Sequence, residues 1–84
     1  MNTAEILASN LDARNDEVLG YQINIDNYRL AVAKIALEHT GDSVLDLAMQ
    51  EFAQQLEESM QQNIIEQRKA IIIRDVIADQ LAES

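Results

Sequence analysis

Apolar side chains recur along the first half of this chain in alternating steps of three and four residues. The series is Ala4, Leu7, Leu11, Val18, Tyr21, Ile25, Tyr28, Val32 and Ile35, with Arg14 as its one charged member. Such spacing keeps one side of a long helix turned toward a partner helix. Asn2, with Glu5 three residues on, or Thr3 beside it, supplies an N-terminal cap, and the pattern predicts a helix over about 4–38. Weak helix formers at Asn10 through Asp16 and Gly20 through Asn27 leave the stripe in phase, so the helix is expected to run through both.

His39-Thr40-Gly41-Asp42-Ser43 then reads as a turn over 39–43. Gly41 suits a left-handed helix end, Asp42 or Ser43 can cap the next helix, and Ser43 with Asp46 has the spacing of a capping box. A second helix is predicted over about 44–82. Its apolar series is Leu45, Met49, Phe52, Leu56, Met60, Ile64, Gln67 and Ile71, which uses consecutive fours. Heptad phase is therefore expected to fail near Met60, with a straightening or kink over 60–63. Lys69 to Ile77 is rich in Ile and Val, yet Gln and Ala flank it and no strand partner is in view, so it too reads as helix.

The expected fold is all-α: a single domain over 1–84, built as an antiparallel hairpin of two long helices, each about 55 Å long at about 1.5 Å per residue. Arms packed symmetrically about Gly41 would bring Arg68, Lys69 and Arg74 near Asp12, Asp16 and Glu17.

One hairpin leaves apolar side chains over. Leu19, Ile23, Leu30, Ala33 and Leu37 centre about 150° from the first stripe, and Ile64, Ile65, Ile71, Ile72, Ile73, Val76, Ile77 and Leu81 cover most of the second helix near its end. A single partner arm covers one face only. Leu19, Ile23, Leu30, Leu37, Ile65, Ile72, Ile73, Val76 and Ile77 are therefore the expected protein interface, and self-association of two hairpins into a four-helix bundle, as a homodimer or higher, is the expected way to cover it.

Composition narrows the function classes. With 84 residues, 48% of them hydrophobic, and no Pro, the chain is expected to be ordered but near the size where oligomerisation supplies missing burial. Fifteen acidic residues against six basic give a net charge of −9, which opposes direct binding of nucleic acid or anionic membranes. No Lys or Arg lies between Lys34 and Arg68, so Asp42, Asp46, Glu51, Glu57 and Glu58 form an expected acidic surface at the turn end. The longest apolar run, Ala70-Ile71-Ile72-Ile73, falls far short of the roughly 20 residues of a membrane span. Glu5 and Asp12 stand where a secretory leader would be basic and then apolar, and the chain has no Cys; both suit a cytoplasmic location.

Candidate chemistry adds little. His39 with Glu38, Asp42 and Asp46 is the one cluster that could be drawn around a metal, but it lacks zinc, EF-hand and di-iron spacing, and a histidine near a helix C-terminus has a sufficient role in the helix dipole. Tyr21 and Tyr28 sit on the packing stripe without an acid or base partner. Glu57 and Glu58 lie on adjacent helix faces and do not converge on one bond. With no Gly-rich phosphate loop, nucleophile elbow or nucleophile and base pair, neither enzymatic activity nor a cofactor is expected.

The stretch Tyr21-Gln22-Ile23-Asn24-Ile25-Asp26-Asn27-Tyr28-Arg29, with Glu66-Gln67-Arg68-Lys69 downstream, resembles small accessory proteins of temperate lambda-like phages. That resemblance implies a small acidic helical protein that acts by binding host or phage proteins in the bacterial cytoplasm, and it carries over no functional residues. Two further functions fit the surfaces: an acidic DNA-mimic decoy that blocks a nucleic-acid-binding protein, and a structural component of an assembly.

Overall fold

The computed structural model describes residues 2–83, which form two helices, α1 over Thr3–Ala36 and α2 over Ser43–Glu83, packed antiparallel as a rod of 63 × 16 × 14 Å. Asn2 caps α1: its side chain accepts from the Glu5 amide at 2.8 Å, and the Glu5 carboxylate accepts from the Asn2 amide at 3.3 Å. The Asn2-to-Glu5 spacing thus makes the expected capping box. At the far end the Leu37 and Glu38 amides donate to Lys34 and Ile35 carbonyls, and the helix stops.

Asp42 starts α2 by accepting from the Val44 and Leu45 amides at 2.9 and 3.2 Å. The capping box expected between Ser43 and Asp46 does not form. Asp46 turns back instead and accepts from the Thr40 hydroxyl at 2.8 Å and the Thr40 amide at 3.1 Å, which ties the turn to the first helical turn of α2. Gly41 has φ +80°, in the left-handed region, and a Cβ built there would meet nothing within 4 Å. The cost of a side chain is then purely conformational. Gly41→Val is expected to lower stability by about 1–2 kcal/mol and Gly41→Asn by less, since Asn tolerates this region; paired urea melts read the difference.

The two arms are unequal. α2 has 41 residues against 34 in α1, and the terminal ends are level, with Thr3 and Leu7 beside Gln80 and Glu83. All of the excess, about 10 Å of helix, therefore overhangs at the turn. The symmetric arms expected about Gly41 are corrected accordingly, and so is their register: Tyr21 lies beside Glu66 and Asn24 beside Asn63. Lys69 and Glu17 line one cavity across the hairpin, but Arg68, Lys69 and Arg74 form no ion pair with Asp12, Asp16 or Glu17. Among the described residues every ion pair stays within one helix, Arg14 with Glu17, Arg29 with Asp26, Lys69 with Glu66 and Arg74 with Asp75.

In α1 the predicted stripe is covered from Leu7 to Ile35, Arg14 included, while its first member, Ala4, is exposed. In α2 six members of the expected stripe are covered, Met49, Leu56, Met60, Ile64, Gln67 and Ile71, and two are not. Leu45 and Phe52 are exposed, and the covered positions include Asp46, Met49, Ala53, Leu56, Met60, Asn63, Gln67, Ala70, Arg74, Ile77 and Leu81, a series that alternates threes and fours without a slip. Heptad phase holds through 60–63 and the helix is unbroken there. Two polar members of the series, Asn63 and Gln67, bond across the seam to α1. Gln67 Nε2 donates to the Val18 carbonyl at 3.2 Å and to Gln22 Oε1 at 2.9 Å, and Asn24 Nδ2 donates to Asn63 Oδ1 at 3.2 Å. Asn63 Nδ2 in turn donates to the Ser59 carbonyl at 2.8 Å.

Candidate functional site

Two helices in contact along one stripe bury little. Only Ile25 and Ala70 are buried among the described residues, each at 3% exposure. The side chains left outside form the candidate site. Leu19, Ile23, Leu30 and Leu37 are 55–80% exposed on the back of α1, and Ile65, Ile72, Ile73 and Val76 are 40–56% exposed on α2. The two sets do not form one patch. Heptad geometry puts Ile23, Leu30 and Leu37 on the edge of the rod facing away from α2, and Ile65 and Ile72 on the opposite edge, facing away from α1. Ile77 leaves the expected interface: it is half-buried in the seam with α1.

The start of α2 adds exposed apolar surface. Val44 is 77% exposed and Leu47 56%, because both flank Asp46 on the side of α2 turned away from α1. Next to them opens a groove of about 430 Å³, floored by Val32, Ile35, Met49 and Ala53 and rimmed by Glu38, His39, Asp46 and Glu57. Small side chains at Ala36 and Ala53 leave it unfilled.

The acidic residues Asp42, Glu51, Glu57 and Glu58 are exposed as expected, while Asp46 is half-covered and engaged with Thr40. The Thr40 hydroxyl bond, then the Thr40 amide bond, hold the Asp46 carboxyl below its usual value, with the nearby His39 charge a smaller contribution in the same direction. A depressed carboxyl stabilises the fold above the ordinary aspartate value of about 4, and that contribution fades as pH falls through the lowered value. Asp46→Asn is therefore expected to lose less stability than the parent between about pH 6 and about pH 3. Urea midpoints at the two pH values test this; equal losses would show that Asp46 has no linked role.

His39, Glu38 and Asp46 share the groove rim, yet no group of three or more His, Asp or Glu side chains is placed to hold a metal ion among the described residues. Tyr21 and Tyr28 are half-buried along the seam. No helix among the described residues is long and apolar enough to cross a membrane. Comparison with protein families, with curated proteins and with solved structures finds no match for this chain.

Proposed function

We propose that this chain is a non-enzymatic helical interaction protein that self-associates, as a homodimer or higher, and binds and modulates a host or phage protein in the cytoplasm of a bacterial cell. The observation that carries this reading is the uncovered apolar surface on both edges of the hairpin. The whole chain has an accessible area of 6174 Å², whereas a compact chain of 9.4 kDa exposes about 5,000 Å². The excess exceeds the roughly 800 Å² that each partner gives to a stable protein interface. Its radius of gyration, 19.0 Å, against about 12 Å for a compact domain of this length, has the same origin.

Sedimentation equilibrium is expected to give a mass above 9.4 kDa. Each copy carries −9, so self-association through apolar surface strengthens as salt screens the repulsion. A monomer at high micromolar concentration in about 0.5 M salt, where screening acts within about 4 Å, would remove the reading. For the second protein, a bait carrying Ile65→Glu and Ile72→Glu is expected to lose a lysate partner that the parent retains.

The Lys- and Arg-free interval 35–67, in which Asp42, Glu51, Glu57 and Glu58 are exposed, favours a second reading, the acidic decoy for a nucleic-acid-binding protein. Binding of that kind weakens steeply with salt, competes with DNA and is lost when these acids become Asn or Gln, none of which holds for apolar docking.

A further inference from the structure

The back of α1 carries a second stripe, Leu19, Ile23, Asp26, Leu30, Ala33 and Leu37, all exposed. Its steps of four, three, four, three and four read the same from either end, so a reversed copy of the stripe meets it in register. We propose that this stripe is the contact between two copies of the chain, with their α1 helices antiparallel about a two-fold axis passing between Asp26 and Leu30. The proposal rests on the self-association reading above and names its surface and orientation.

In this arrangement Leu19 meets Leu37 of the second copy, Ile23 meets Ala33, and Asp26 sits between Leu30 and Arg29 of the second copy. Within one chain Arg29 Nη1 already lies 3.9 Å from Asp26 Oδ1, with both side chains at least 60% exposed, so exchanging that pair for one between copies takes only side-chain rotation. The two other orientations are worse. Parallel α1 helices would face Asp26 with Asp26 and stack Glu38, Asp42 and Asp46 of both turns at one end, where neither copy has a Lys or Arg between 35 and 67. Setting the back of α1 on the back of α2 of another copy would leave one free edge at each end and grow an open array, each added copy bringing −9. The antiparallel contact closes at two copies. It also keeps Ile65, Ile72 and Val76 open for a different protein.

The chain has no cysteine, so introduced ones report contacts between copies without background. Leu19→Cys and Leu37→Cys are made separately, checked by circular dichroism, and oxidised alone and as an equimolar mixture. The mixture is expected to give at least tenfold more disulfide-linked dimer than either protein alone. Cross-linking of each alone would show parallel α1 helices and overturn the proposal. So would preferential linkage of Leu19→Cys to Ile72→Cys, which marks an open array. A dimer by sedimentation with no cross-link in any mixture overturns the surface but not self-association, whereas a monomer by sedimentation overturns both. Leu30→Glu supplies a second measurement: the dimer dissociation constant should rise more than tenfold while the melt of the dilute monomer stays unchanged, and an unaltered constant would refute the contact.

Discussion

Ile25→Asp is expected to abolish the folded hairpin at any protein concentration reachable in a melt. Ile25, on the covered stripe of α1, is the one large side chain buried among the described residues. Placing an unpaired carboxylate there costs about 5 kcal/mol or more after the lost apolar burial is included. A small domain has only about 5–15 kcal/mol in total, and one with two buried residues stands at the low end. Ile25→Ala should be the graded version, losing about 2–5 kcal/mol. Leu19→Ala, which removes a side chain 62% exposed in the hairpin, should change the dilute monomer by less than about 0.5 kcal/mol. Urea melts followed by far-ultraviolet circular dichroism provide the comparison. Equal effects of the Ile25 and Leu19 substitutions would mean that the seam is not where α1 packs.

Legibility of the fold depended on which residues fill the seam. In α1 all but one of the covering positions are apolar, so counting apolar spacing found the face and its phase. α2 places Asp46, Asn63, Gln67 and Arg74 in the same kind of series, and counting large apolar side chains puts Leu45, Phe52, Ile64 and Ile71 in place of Asp46, Ala53, Asn63 and Ala70, a stripe that slips. For Asn63 the missing signal is hydrogen bonding, since its partner Asn24 on α1 lies 39 residues away in the chain. The same limit applied to the turn. Thr40 and Asp46 bond across six residues and hold α2 extended past the end of α1, a geometry that no local spacing encodes. Ile77 was misplaced for a simpler reason: with Ile71, Ile72, Ile73 and Val76 around it, every side of that turn is apolar and periodicity assigns no face. The exposed set on the back of α1 was readable because it has its own uninterrupted spacing.

Replacing Asn63 and Gln67 together with Leu is expected to raise the melting temperature and at the same time destroy the single register of the hairpin. The two amides occupy seam positions where Leu has similar volume, and exchanging satisfied polar groups for packed apolar ones is often neutral or stabilising. Register is another matter. The seam repeats every seven residues, so sliding α2 along α1 by one heptad, about 10 Å, returns covering positions to covering positions. In the parent that slide removes Gln67 from the Val18 carbonyl and Gln22, and Asn63 from Asn24, leaving polar groups opposite apolar ones. Gln22 and Asn24 are exposed and Asn63 and Gln67 half-covered, so water takes over part of each lost bond, and at about 0.5–1.5 kcal/mol for each of the three bonds the slipped states stay rare. Without the amides only the six-residue connection opposes slippage, and its compact turn must open, breaking the Thr40 bonds to Asp46, for the slide to occur. Amide spectra of the double variant should therefore show more than one resonance for residues such as Gly20 and Ala70, and spin labels on opposite arms should report distances differing by about one heptad. A single set of resonances with an unchanged interarm distance would show instead that the turn fixed by Thr40 and Asp46 sets the register alone, and that the polar layer contributes no more than the stability its hydrogen bonds supply.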